Sequence, residues 1–79
     1  MEERAEVLAA IIKKVEAMMN ESGLTEDTAY ADLPMKSVNF SALINVLEDE
    51  FDVEINYMEF KKTATLGESA DFVMEVIEG

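Results

Sequence analysis

The sequence predicts an all-α fold: a small four-helix bundle with three long helices, a short third helix and a long loop between the first two. Three segments carry apolar side chains at the i, i+3, i+4 spacing of a helix that buries one face. A chain of 79 residues can bury only one modest core. We therefore expect a single domain over residues 1–79.

The first helix is predicted over residues 3 to 20. Two glutamates lie early in it and Lys13 and Lys14 lie later, which is the order that complements the helix macrodipole. Gly23 offers the left-handed residue that commonly ends a helix. The apolar face of this helix consists of Leu8, Ile11, Ile12, Val15, Met18 and Met19.

A long loop is predicted over residues 24 to 36, where no period is sustained and the only proline of the chain lies. Leu24, Tyr30 and Leu33 could pin this loop to the core. Long loops in compact domains are often functional, and this one leads directly to Ser37.

The second helix is predicted from residue 37 to about residue 52. Its apolar face consists of Val38, Leu43, Ile44, Leu47 and Phe51. The acidic run Glu48-Asp49-Glu50 marks a solvated face near its end. Taken by itself, Ser37 at the head of this helix could simply be an N-cap, a role worth about 1 kcal/mol.

The third and fourth helices are signalled by their caps. Asn56 could cap a short helix through residue 62, which a Thr-rich segment then interrupts. Thr65-Leu66-Gly67-Glu68 has the capping-box pattern, in which the Thr hydroxyl and the Glu carboxylate satisfy each other's backbone donors. It predicts a fourth helix over about 66–78, with an apolar face of Ala70, Val73, Val76 and Ile77.

Composition excludes several classes of function. The chain has no cysteine, which excludes thiolate nucleophiles and zinc-thiolate sites. It also has no histidine, the usual acid-base catalyst near neutral pH. We expect neither an enzyme nor a metal site. A net charge of -12 argues against binding to nucleic acid or to anionic membranes and favours basic partners. Since no apolar run could span a bilayer and Met1-Glu2-Glu3-Arg4 lacks the basic start of a signal peptide, we expect a cytoplasmic protein.

The segment Asp32-Leu33-Pro34-Met35-Lys36-Ser37-Val38, and the block that continues to Ile55, resembles the acyl carrier protein family, whose usual signature is Asp-Leu-Gly-x-Asp-Ser-Leu. The resemblance implies that Ser37 bears phosphopantetheine, delivered from coenzyme A, and that the thiol of this arm holds an acyl group as a thioester. It also implies a monomer that meets a phosphopantetheinyl transferase and acyl-transferring or acyl-modifying enzymes. The expected setting is fatty-acid or related lipid or secondary-metabolite biosynthesis.

The segment departs from the family signature at two positions. Pro34 stands where the family has glycine, and Lys36 reverses the charge of the aspartate that modifying and partner enzymes recognise. These departures suggest a specialised carrier and leave two alternatives open. One is a carrier of aminoacyl or polyketide intermediates, and the other is an unmodified acidic interaction module with the carrier fold. Ser22, Ser41 and Ser69 are weaker attachment candidates, each more often an ordinary polar surface residue.

The resemblance also assigns two further sets of residues. The expected docking surface lies along the second helix and consists of Lys36, Asn39, Ser41, Asn45, Glu48 and Asp49. The expected acyl pocket is lined by Phe40, Leu43, Leu47, Met58, Phe60 and Val73. Ordinary alternatives are a solvated helix face for the first set and plain core packing for the second.

Overall fold

The computed structural model describes residues 3–79 as an all-α bundle, as the sequence predicted. Its helices are α1 (Arg4–Met19), α2 (Ser37–Phe51), α3 (Tyr57–Lys61) and α4 (Leu66–Glu78). A short 3-10 turn, Tyr30–Asp32, lies within the long loop. Within residues 3–79, no helix is long and apolar enough to cross a membrane.

The first helix begins and ends close to the predicted residues, but a different residue ends it. Asn20 takes the left-handed conformation with φ 55°, and its N–H donates to the Glu16 carbonyl. Asparagine tolerates this conformation well. Gly23 also has a positive φ, of 73°, but it lies beyond the helix in the loop, so the prediction that Gly23 ends α1 was wrong. The buried face of α1 also includes Val7, which the predicted apolar face omitted.

The core lies where α1 packs against α4 and α2, with α3 closing one side against α2. Each long helix contributes a stripe of buried apolar side chains, as its spacing predicted. The fully buried residues with the largest side chains are Phe60, Ile11, Leu43, Leu47, Leu66, Val7, Val15 and Val73.

The long loop is held against the start of α4. Tyr30 N–H donates to the Ala64 carbonyl at 3.0 Å, and Leu66 N–H donates to the Thr28 carbonyl at 3.1 Å. Gly67 N–H donates to the Glu26 carbonyl at 2.8 Å. A Cβ at position 67 would lie 3.0 Å from both the carbonyl oxygen and the Cβ of Glu26, so the close approach favours glycine.

The N-terminal caps of α3 and α4 form largely as predicted. Asn56 Oδ1 accepts from Glu59 N–H at 2.9 Å and starts α3. Thr65 Oγ1 accepts from Glu68 N–H at 3.1 Å and starts α4. The return half of the capping box is displaced, because Glu68 Oε1 accepts from the N–H of Ala64, at 3.1 Å, instead of from Thr65. The Glu68 carboxylate therefore supports the α3–α4 link as well as the helix.

Candidate functional site

Ser37 is the first residue of α2, and its side chain is exposed. The N-cap is Lys36, which has extended backbone angles (φ -114°, ψ 172°). Its carbonyl accepts from Asn39 N–H at 2.9 Å and from Phe40 N–H at 3.1 Å. The alternative that Ser37 is itself the N-cap is thus excluded. Among residues 3–79 no hydrogen bond engages the Ser37 hydroxyl, and the residue is exposed.

Asn39 holds the start of α2 in place. Its Oδ1 accepts from Lys36 N–H at 2.9 Å, which is the return half of a capping box. A lysine side chain has no acceptor, so Lys36 cannot complete the box. The first turn of α2 also contains no acidic residue, which leaves the Lys36 cation at the positive end of the helix dipole. The start of α2 therefore places a cation at the positive end of a helix dipole, in a protein whose net charge is -12.

The loop that leads to Ser37 is anchored by an aromatic pair. Tyr30 and Phe40 are each 7% exposed, and their ring centroids lie 5.1 Å apart with the planes tilted by 56°. Leu33 N–H donates to the Tyr30 carbonyl at 3.0 Å and closes the 3-10 turn. Because Tyr30 is buried and Phe40 lies in the first turn of α2, this contact positions the segment between them. Pro34, Lys36 and Ser37 remain exposed at its surface.

The phenol of Tyr30 is neutral at physiological pH. Burial raises the pKa of Tyr30 to about 12, although the hydrogen bond with Ser69 opposes the shift. Tyr30 Oη lies 2.8 Å from Ser69 Oγ, and Ser69 is fully buried. The sequence reading of Ser69 as a surface residue was wrong. Its position between Leu66 and Val73 on the apolar face of α4 was the signal that could have placed it inside.

An exposed stripe runs along α2 from Ser37 and consists of Ser37, Val38, Ser41, Asn45 and Asp49. Val38 was predicted to lie on the buried face, but its side chain is 69% exposed. Val38 lies five residues before Leu43 and outside the i, i+3, i+4 spacing that the buried residues Phe40, Leu43 and Leu47 share, so it faces away from the core. Val38 therefore gives the exposed stripe its one large apolar side chain, next to Ser37.

Two of the expected docking residues are engaged within the fold. Asn39 is half-buried and caps α2. Glu48 is also half-buried, and its Oε2 accepts from Ile55 N–H at 2.9 Å, which ties the end of α2 to the segment before α3. Lys36, Ser41, Asn45 and Asp49 are exposed, so the expected docking surface is available through these four side chains.

Five of the six expected pocket residues lie together in the core. Phe40, Leu43, Leu47, Phe60 and Val73 belong to one buried cluster. Met58 is 65% exposed and lies outside it, so the structure corrects that assignment. The reason is helical geometry: Tyr57 and Phe60, three residues apart, face the core, which turns Met58 outward.

An open groove that the sequence did not predict lies between α1 and α2. Its volume is about 550 Å³, and its walls combine alanines of α1 and Val46 with charged residues. None of the expected pocket residues lines it, and neither does Ser37. The groove is thus separate from the surface around the serine.

A helical bundle that presents an unoccupied serine hydroxyl at the start of a helix, reached by an anchored loop, is suited to carrying a covalently attached group. Residues 6–73 match the family model described as a phosphopantetheine attachment site. This match covers most of the chain, and the chain belongs to the acyl carrier protein family. The family resemblance stated from residues 32–55 is confirmed.

Named relatives are plant acyl carrier proteins. The chain is 29% identical over 76 residues to acyl carrier protein SF2, chloroplastic, of Brassica campestris, covering 96% of this chain and 57% of that protein. It is also 29% identical over 76 residues to acyl carrier protein 1, chloroplastic, of Casuarina glauca, covering 96% of this chain and 56% of that protein. The chain therefore spans little more than half the length of these curated relatives. No solved structure matches the chain.

Proposed function

We propose that this chain carries acyl intermediates as thioesters on a phosphopantetheine arm attached to Ser37 Oγ. The observation that carries the proposal is the placement of Ser37 at the start of α2, exposed and with no hydrogen bond to its hydroxyl among residues 3–79. Ser69 is buried, and Ser41 lies one turn inside the helix, away from the loop. Ser37 therefore combines the family's register with an accessible nucleophile.

In the loading step, Ser37 Oγ forms a phosphoester bond to the phosphopantetheinyl group of coenzyme A, the remainder of the coenzyme leaves, and the serine proton passes to a base. The chain has no histidine to act as that base. The modifying transferase must supply the base, and this chain supplies the nucleophile and the surface that the transferase binds. The arm then supplies the sulfur that a cysteine-free chain lacks.

We propose that partner enzymes dock on the exposed stripe of α2, with Val38 as its apolar centre. Lys36 lies at one end of this surface and Asp49 at the other, with neutral Ser41 and Asn45 between them. Charges at the rim of such a surface act mainly on the rate of association. A carrier must also leave each partner, so the complexes are brief.

Fatty-acid biosynthesis is the pathway we propose, because the named relatives are acyl carrier proteins. The reversal of charge at Lys36 supports a specialised carrier with its own partners. Carriage of aminoacyl or polyketide intermediates is the alternative within the family. The names of the relatives place those proteins in chloroplasts.

The test is to incubate the purified chain with coenzyme A and a broad-specificity phosphopantetheinyl transferase, and then to map the modified peptide. We expect one added arm, on the peptide that contains Ser37. With an acyl-coenzyme A in place of coenzyme A, we expect the arm to carry the acyl group, which neutral hydroxylamine then releases. Ser41→Ala is the matched control in the same helix and should be modified like the wild type. Absence of modification with several transferases would favour the unmodified interaction module.

A further inference from the structure

Three hydroxyl groups form a continuous chain beneath the loop. Tyr30 Oη lies 2.8 Å from Ser69 Oγ, and Ser69 Oγ lies 2.7 Å from Thr63 Oγ1. Thr63 Oγ1 in turn lies 2.6 Å from the carbonyl oxygen of Phe60. Ser69 is fully buried and Tyr30 nearly so. The chain thus joins the long loop, α4, the α3–α4 link and the last turn of α3.

The carbonyl at the end of this chain sets the direction of every bond in it. A carbonyl only accepts, so Thr63 must donate its single hydroxyl hydrogen to Phe60. Ser69 must then donate to Thr63, and Tyr30 must donate to Ser69. Each of the three hydroxyls therefore donates its one hydrogen within the chain. No buried side-chain polar atom among residues 3–79 lacks a hydrogen-bond partner.

The chain of hydroxyls ends on the element that has the least support of its own. With five residues, α3 is far below the length at which an isolated helix is stable. Thr63 caps its C-terminal end twice, because both its N–H, at 3.1 Å, and its hydroxyl, at 2.6 Å, donate to the Phe60 carbonyl. Phe60 itself is fully buried, with its ring centroid 6.3 Å from that of Phe72 on α4.

We propose that Tyr30, Ser69 and Thr63 form a directional latch that fastens the end of α3 to α4, and that this latch sets how readily α3 opens to admit an acyl chain beside Phe60. The gating part rests on the proposed function. Thr63 and Ser69 are positioning residues, since they act through the placement of Phe60. A hydrogen bond between neutral groups makes a modest net contribution to the free energy of the closed state. The latch therefore favours the closed state and still allows α3 to open.

The latch itself is tested on the unmodified chain by hydrogen exchange, using the Phe60 and Lys62 amides as reporters of α3 and the Leu47 amide as the reference. Thr63→Val removes the hydroxyl bond to Phe60 and keeps the backbone N–H bond, and we expect the reporters to exchange about five- to tenfold faster relative to Leu47. Thr63→Ser retains the hydroxyl and should restore slow exchange. Ser69→Ala should accelerate the reporters about fivefold, because Thr63 loses its link to α4.

Tyr30→Phe is the control for the direction of the bonds. It removes the first donor but leaves the Ser69–Thr63–Phe60 bonds intact, so the relative exchange of the reporters should stay within about twofold of wild type. The latch is overturned if Thr63→Val leaves the reporters unchanged. The assigned direction is overturned if Tyr30→Phe accelerates them as much as Thr63→Val does.

Gating is tested with the loaded arm. In Thr63→Val an eight-carbon acyl chain should enter the loosened core more readily, so hydroxylamine should cleave its thioester about fivefold more slowly than in wild type. An acetyl thioester is too short to enter and should be cleaved equally fast in both. Equal cleavage of the longer thioester would refute gating even if exchange confirms the latch. Failure to load any arm refutes the proposed function, and gating with it, while the exchange experiment still decides the latch.

Discussion

The two faces of α2 differ in burial: one packs in the core, and the other is exposed. On one face Leu43 and Leu47 are fully buried. The other face is the exposed stripe, whose polar side chains form no hydrogen bond to another side chain within residues 3–79. Substitution on the exposed stripe, or at the exposed N-cap Lys36 that precedes it, should therefore leave the core intact.

The largest expected effect is on the buried face. Leu47→Ala removes a fully buried side chain and leaves a cavity, and we expect a loss of about 2–5 kcal/mol in the free energy of unfolding. Urea denaturation measures this loss. Asn45→Ala, two residues away on the exposed stripe, should stay within about 0.5 kcal/mol of wild type. Similar losses for both variants would contradict the division between the faces.

A second, smaller effect concerns Tyr30, whose contribution to the free energy of unfolding depends on pH. The pKa of Tyr30 is raised from 10.0 to about 12 because the phenol is buried, so the folded state holds the proton more tightly than the unfolded state. The stability from this group is complete below about pH 10 and is lost as the pH rises through about 12. We expect the wild type to lose stability more steeply across this window than Tyr30→Phe. Equal slopes in alkaline urea titrations would show that Tyr30 is not the group responsible.

A gain in stability is expected at the N-cap of α2, the residue just before the exposed stripe. Lys36→Asp removes a cation from the N-terminus of α2 and introduces a side chain that can accept from the first turn, so the free energy of unfolding should rise by about 1 kcal/mol. Loading of Ser37 by a general phosphopantetheinyl transferase should also become faster, because docking charges act on association. Lys13→Asp makes the same change of charge on α1. If it produces the same gains, net charge is the cause and the position of Lys36 is not.

The sequence predicts best those features of the fold that depend on residues close together in the chain. The bounds of α4 and the cap at Asn56 depend on residues within one helical turn, and the sequence predicted both correctly. The orientation of Val38 and Met58 depends on which side of the helix finds a neighbour. Apolar spacing placed Val38 on the wrong side, and the family resemblance did the same for Met58. The N-cap was assigned one residue late, because Asn39 and not the capping residue supplies the side-chain acceptor.

The candidate site also divides into features set by neighbouring residues and features set by the fold. Ser37 was identified from the residues around it, whereas the hydroxyl chain through Ser69 joins residues up to 39 positions apart. Only the fold brings Tyr30, Thr63 and Ser69 together, so no spacing rule could have linked them. Their role was therefore found from the structure alone.

The central claim is that Ser37 has a functional role and no structural one, and comparing Ser37→Ala with the wild type tests it. Intact mass after incubation with coenzyme A and a transferase should show one phosphopantetheinyl group on the wild type and none on the variant. Urea denaturation should place the variant within about 0.5 kcal/mol of wild type, because no hydrogen bond of the described residues depends on the hydroxyl. A variant that still gains the arm, or a wild type that never does, would contradict the claim.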